Sequence, residues 1–123
     1  MADWTVEQVT QIAAPQEVQV ITRRRDGSLR RPTTIWIVGD GDKVFVRSTN
    51  GRTAAWFRDA IATGTGQIVS GGRASDVTFT EASPAVLPAV DRAYRRKYGR
   101  YASIVDHLLT AGPRAATLQV RPA

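Results

Sequence analysis

Residues 30–57 read RRPTTIWIVGDGDKVFVRSTNGRTAAWF, and the reading of this stretch decides the fold. Thr33-Thr34-Ile35-Trp36-Ile37-Val38 and Lys43-Val44-Phe45-Val46-Arg47-Ser48 are rich in β-branched and aromatic residues, which suit a pleated, half-buried strand. Gly39-Asp40-Gly41-Asp42 between them is hairpin punctuation, because tight hairpin turns need residues that tolerate positive φ. Asn50-Gly51-Arg52-Thr53 then makes a polar loop, and Ala54 to Thr63 reads as a helix with Thr53 as its cap. Arg30 and Arg31 precede the first strand, and Arg47 and Ser48 end the second. A basic strand end feeding a glycine loop and a helix start suits an anion, since free backbone N–H groups and the helix dipole both favour negative charge there. The same residues also suit an ordinary hairpin with solvated arginines.

Working outward from this stretch, residues 5–13 predict a short helix. Thr5 and Gln8 form a capping box, Val6, Val9, Ile12 and Ala13 share a face, and Pro15 ends it. Glu17 to Arg25 alternates as a strand, and Asp26-Gly27-Ser28 turns the chain back. Downstream, Trp56, Phe57, Ala60 and Ile61 build the apolar face of the helix, and Gly64 stops it. Gln67–Ser70 and Arg73–Thr80 predict a second hairpin turning at Gly71-Gly72, with Val77 and Phe79 inward. Ser83-Pro84 opens a helix whose inward side is Leu87, Val90, Tyr94 and Tyr98, closed by Gly99. Tyr101 to Leu109 predicts one more helix with Tyr101, Ile104, Val105 and Leu108 inward, ending near Gly112-Pro113. A last strand, Ala116 to Arg121, carries Leu118 and Val120 as its buried pair. Six short strands of mostly hairpin connectivity predict an α+β fold, an antiparallel barrel with helices packed outside.

Composition narrows the chemistry. With 123 residues the chain makes one domain large enough for a real core. It has no cysteine and a single histidine, which excludes disulfides, thiolate chemistry and multi-histidine metal sites within one chain. Asp3 and Glu7 stand in a start that has no apolar run, so neither a signal peptide nor a membrane span is read there and the expectation is a cytoplasmic protein. The net charge of +6 rests on 15 arginines among 17 cationic residues. They cluster at Arg23-Arg24-Arg25 with Arg30-Arg31, and at Arg92, Arg95, Arg96, Lys97 and Arg100. Arginine's planar fork matches phosphate and carboxylate, so an anionic partner is favoured.

No nucleophile elbow, Walker A loop or dinucleotide fingerprint is present. Asp40 and Asp42 read as turn residues, and His107 as a surface residue near a helix C-terminus. Trp36, Trp56, Phe45 and Tyr94 read as core, although Trp36, on the hairpin beside arginines, is placed to border a flat ligand. YRRKYGRY, residues 94–101, interleaves aromatics with cations as nucleic-acid surfaces do. It is read here as an amphipathic helix with tyrosines inward and arginines solvated.

The pattern from Val20 through Phe57 resembles the flavin-binding split-barrel superfamily, and within it the deazaflavin-dependent nitroreductases. The matching pieces are Ile21-Thr22-Arg23-Arg24-Arg25-Asp26-Gly27, Arg31-Pro32, Asp40-Gly41-Asp42, Val46-Arg47-Ser48, Asn50-Gly51 and Trp56-Phe57. With Ala93-Tyr94-Arg95-Arg96-Lys97-Tyr98-Gly99, the chain is similar to a small pyridoxamine-phosphate-oxidase-like branch of unknown function, common in actinobacteria. The resemblance implies a six-stranded split β-barrel forming a homodimer, with FMN or a deazaflavin coenzyme in a groove between subunits and a small organic molecule as substrate. Carried over by position, the phosphate contacts are Arg31, Arg47, Ser48, Asn50, Gly51, Arg52 and Thr53, with the ring system near Thr34 and Trp36. The cofactor would do the hydride chemistry, so no acid–base dyad of side chains is required. The loop Ser48-Thr49-Asn50-Gly51-Arg52-Thr53 lacks the longer Gly-Gly and Pro-containing segment of the nitroreductases, which supports a second reading, a cofactor-free binding or scaffold module. Nucleic-acid binding through the arginine clusters is the third.

Overall fold

The computed structural model describes residues 3–123. Seven antiparallel strands form one sheet in the order β2-β1-β5-β6-β7-β4-β3. They are β1 (Val18–Thr22), β2 (Thr33–Ile35), β3 (Ile37–Asp40), β4 (Lys43–Arg47), β5 (Thr65–Ser70), β6 (Arg73–Glu81) and β7 (Thr117–Pro122). The helices are α1 (Val6–Ile12), α2 (Ala55–Thr63), α3 (Leu87–Tyr98), α4 (Ala102–Leu108) and α5 (Ala111–Arg114).

The predicted single strand Thr33–Val38 is two strands. Its first half pairs with β1, Val18 opposite Ile35, and its second half pairs with β4, Ile37 opposite Val46. Trp36 is the break. Because β2 and β3 are the two ends of the sheet, the segment through Trp36 joins one edge to the other and the sheet nearly closes on itself. That bend corrects the expected six strands to seven, and it removes most of the open edge that would otherwise template association.

Period-two alternation sorts β3 and β4 between two apolar clusters. Ile37, Val44 and Val46 join Val20, Ile68, Val77, Phe79, Leu118 and Val120 inside the barrel, with α1 and α2 closing that core. Val38 and Phe45 face the other way, against Val90, Ala93, Tyr94 and Tyr98 of α3 and Val105 and Leu108 of α4. Burying a Phe side chain contributes about 1.5–3 kcal/mol, so a second core behind the hairpin is a substantial driver of where α3 settles. Arg47 has the parity of Phe45, and it is carried under α3 by the same alternation.

Several turns form as expected. The Thr5–Gln8 capping box starts α1, Gly64 ends α2 at φ +71°, and Gly71 and Gly72 (φ +58° and +79°) turn the β5–β6 hairpin. Others differ. Thr53 does not cap α2; it lies in a 3₁₀ turn, Gly51–Thr53, its hydroxyl donating to the Asn50 carbonyl at 3.1 Å, and Ala54 holds the cap position with no side-chain bond. Ile104 is 44% exposed instead of inward. Gly112-Pro113 lies within α5, because Pro113 at a helix start loses no hydrogen bond. Trp4, in no predicted element, is buried, and its indole N–H donates to the Val120 carbonyl at 2.7 Å.

Candidate functional site

The hairpin end, α3 and α4 converge on Arg47. Its Nε donates to Thr117 Oγ1 at 2.8 Å, and its Nη1 donates to Asp91 Oδ1 at 2.8 Å and to the Leu108 carbonyl at 3.0 Å. The guanidinium lies 5.3 Å from the centre of the Tyr94 ring. Asp91 also receives Arg114 Nε at 3.1 Å, so two cations share one carboxylate. The Arg47 side chain has no exposed surface, and its Nη2 has no partner among the described residues. Tyr94 Oη is likewise buried and unpartnered, and burial pushes its phenol well above the ordinary range, against the opposing pull of the Arg47 charge.

Beside this cluster is a pocket of about 180 Å³ lined by Thr34, Ile35, Trp36, Arg47, Ile104 and Leu108, with Glu17 and Thr49 also on its walls. Trp36 is held by stacking on Tyr98, ring centres 3.9 Å apart and planes 2° from parallel. Thr49 is shared with a wider groove of about 630 Å³ formed by Asn50, Gly51, Thr53, His107, Thr110 and Pro113 among others. Gly51 sits at φ +70°, a conformation that favours glycine, and it lets the loop turn past α5. His107 Nε2 is 2.7 Å from the Thr49 carbonyl, tying α4 to that loop.

The sequence-predicted residues divide among these features. Thr34, Trp36 and Arg47 line the inner pocket, and Asn50, Gly51 and Thr53 line the groove. Ser48 is buried with its hydroxyl unpartnered. Arg52 is a latch, donating to Glu81 Oε1 at 2.5 Å and to the Ala115 carbonyl at 2.8 Å, with its guanidinium 5.2 Å from the Phe57 ring. Arg31 is exposed and lines neither space. Asp91 and Arg114 went unrecognised in the sequence, and Ile104 and Leu108 were read only as inward helix residues, not as part of a site. Their only signal was Asp91, the one acid in a helix otherwise rich in arginine.

The basic segment after Tyr94 also divides. Arg92, Arg95, Arg96 and Arg100 are exposed, as read. Lys97 is not solvated: its Nζ donates to the carbonyls of Ala13 and Pro15, both at 2.6 Å, and of Ile37 at 2.9 Å. Burial lowers its ammonium to about 8. Among the described residues no three His, Cys, Asp or Glu side chains gather as a metal site requires, and no helix is long and apolar enough to cross a membrane.

The profile of a family described as "Uncharacterized protein conserved in bacteria (DUF2255)" matches residues 8–120. The chain belongs to the DUF2255 family. No curated protein matches this DUF2255 chain in sequence. Among solved structures, an F420-H2 dependent reductase (FDR-A) is similar with a TM-score of 0.66 at 17% identity, covering 86% of this chain and 94% of that one. A domain-swapped dimer is similar with a TM-score of 0.66 at 16% identity, over 86% of this chain and 80% of that one. A candidate pyridoxamine 5′-phosphate oxidase from Listeria innocua follows with a TM-score of 0.60 at 7% identity, over 95% and 90%. Identities this low establish the fold alone. The DUF2255 chain thus has the split barrel shared by F420-dependent reductases and pyridoxamine-phosphate-oxidase-like proteins, as the sequence resemblance implied.

Proposed function

We propose that this protein is a homodimeric split-barrel reductase that binds a flavin or deazaflavin cofactor and acts on a small organic substrate. The observation that supports the reading is a pair of recesses that share Thr49, the pocket beside Trp36 and the groove at the Asn50–Thr53 loop, on a fold similar to that of an F420-H2 dependent reductase. Small-molecule sites run from roughly 300 to 1,000 Å³. The groove of about 630 Å³ lies in that range, whereas the inner pocket of about 180 Å³ is too small for a three-ring system.

The residues present fit such a group in the following way. The groove takes the cofactor, and Thr34 and Trp36 line the smaller pocket that shares Thr49 with it. Asn50, Gly51 and Thr53 offer neutral hydrogen-bonding groups to phosphate, while Arg31 is exposed and lines neither space within one subunit. Arg47, Ser48 and Arg52 are left out of this cradle, because two are buried and the third is committed to Glu81. When bound, the cofactor supplies hydride transfer; the protein binds it, orients it and shields it from water. The similar domain-swapped dimer supports a second copy completing the groove.

A cofactor-free binding module is the alternative, and the commitment of Arg47 and Arg52 to internal partners favours it. An absorbance spectrum of purified protein, with thermal melts in added FMN and added F420 coenzyme, separates the two. A ligand at a hundredfold excess over its Kd stabilises by about 2.7 kcal/mol, a shift of several degrees for a domain of this size. Colour or a selective shift supports the reductase. A colourless protein unmoved by either cofactor supports the module.

A further inference from the structure

We propose that His107 is the cation of the groove, its imidazolium meeting the phosphate of the ligand held there. The assignment rests on the reading that this groove holds a phosphate-bearing ligand, and it names the residue that recognises the charge.

Elimination singles this residue out. His107 is exposed, lines the groove, and is the one titratable side chain among the described residues that do so. The arginines of the surrounding elements are committed elsewhere. Arg47 is buried against Asp91, Arg52 donates to Glu81 and the Ala115 carbonyl, and Arg114 bonds Asp91. Asn50, Gly51 and Thr53 hydrogen-bond without charge, so a phosphate in the groove gains a charge-assisted bond only from a protonated His107.

Geometry fixes where the proton goes. His107 Nε2 lies 2.7 Å from the Thr49 carbonyl oxygen. A carbonyl only accepts, so Nε2 carries a hydrogen whether the ring is neutral or charged, and the second proton binds at Nδ1. The same bond holds the ring against the loop of the groove wall in both states. His107 stands in the last turn of α4, where the helix dipole favours a cation. Around it, Asp106 of α4 pairs with Arg95 at 3.6 Å, both exposed, and Glu17 is an exposed wall residue of the neighbouring pocket. Water and salt screen the fields of these exposed groups.

Histidine is the side chain that ordinarily changes charge between about pH 5 and 8, so anion affinity follows it over that range. An opposite charge within about 4–6 Å moves a pKa by about one unit or more, and linkage makes the affinities for the two protonation states differ by the same factor. Screening at an exposed site brings that factor to about three- to tenfold.

The test follows the ring protons of His107, the only histidine of the chain, by NMR from about pH 5 to 8, on the full chain with no FMN or F420 present. Sulfate is the probe, because its charge is constant over that range. It is expected to raise the His107 titration midpoint saturably by about half a unit or more, and to bind about three- to tenfold tighter at the acid end than at the alkaline end. It is also expected to shift the amides of Thr49 to Thr53. His107→Gln is expected to bind at the weak alkaline level at every pH, and His107→Lys at the tight level at every pH. An unmoved midpoint, amide shifts that avoid the groove, or a pH dependence that survives His107→Gln overturns the proposal. Failure here leaves the cofactor melts to judge the reductase reading. A colourless protein unmoved in those melts, whose sulfate affinity still follows His107, keeps this assignment and loses the reductase.

Discussion

Replacing Asp91 by asparagine removes the only carboxylate among the described residues that meets Arg47. The two partners are unequal: Arg47 has no exposed side-chain surface, while Asp91 keeps 20% and has Arg114 as a second partner. Stranding one charge of a buried pair costs about 3–5 kcal/mol. Arg47 retains its bonds to Thr117 Oγ1 and the Leu108 carbonyl, so the lower end, about 3 kcal/mol, applies to Asp91→Asn. Arg47→Met leaves Asp91 partly hydrated and still paired with Arg114, and should cost less, about 1–2 kcal/mol. The double variant Arg47→Met/Asp91→Leu should recover much of the loss, since apolar replacements of buried pairs are often neutral. For a domain of this size each kcal/mol moves Tm by roughly 3–5 °C, so Asp91→Asn should melt about 10 °C lower. Urea denaturation followed by circular dichroism reads all three variants. A loss below about 1 kcal/mol for Asp91→Asn, or a larger loss for Arg47→Met than for Asp91→Asn, would refute a buried guanidinium dependent on one carboxylate.

Gly66 in β5 has no room for a side chain, because a Cβ there collides with the Ile21 carbonyl oxygen of the neighbouring strand and comes within 3.0 Å of the Phe79 ring. Gly66→Ala should therefore destabilise by about 2 kcal/mol or more, read by thermal melt; a neutral result would mean that β1 and β5 separate easily. Arg52→Ala breaks an ion pair whose partners are both about half exposed, and should cost about 1 kcal/mol or less, a shift of a few degrees at most. Lys97 has a folded pKa of about 8 because of burial, below its ordinary 10.5. Between those values the unfolded chain holds a proton that the folded chain has lost, so this group makes stability rise with pH from about 8 to 10.5. Burial raises the Tyr98 phenol to about 12, aided by the Glu17 charge and opposed by its bond to Ile37, and it removes stability as pH climbs above 10. Denaturation of wild type and Lys97→Met between about pH 7 and 10 should show the gap between them shifting in favour of wild type as pH rises; a constant gap would rule out the perturbed ammonium.

Local chemistry was legible from the residues alone. Thr5 and Gln8 announce a capping box because both bonds of that motif lie within four residues, and the box forms. Gly71-Gly72 and Gly41 mark hairpins because positive φ is a property of single residues, and all three adopt it. Alternation in Glu17–Arg25, β-branched and aromatic content in Lys43–Ser48, and the pair Leu118 and Val120 in Ala116–Arg121 pointed to strands that form as Val18–Thr22, Lys43–Arg47 and Thr117–Pro122, with Val18, Val20, Leu118 and Val120 buried. Of the residues read as a candidate site, Thr34, Trp36 and Arg47 line one pocket, and Asn50, Gly51 and Thr53 line the groove that shares Thr49 with it.

What the sequence by itself determined is most of the elements, the glycine turns and the buried residues of most strands, since these follow from interactions a few residues long. Only the tertiary structure decided where the strand 33–38 breaks, because nothing local distinguishes Trp36 from its neighbours until β1 and β4 claim the two halves separately. It also decided the fate of the arginines and lysine. By pattern Arg47 and Lys97 look like solvated cations, yet one lies under α3 against Asp91 and the other reaches three carbonyls across the fold. A charge is buried or free according to which distant groups can compensate its lost water, and those groups stand 44 to 70 residues away for Arg47 and up to 84 for Lys97.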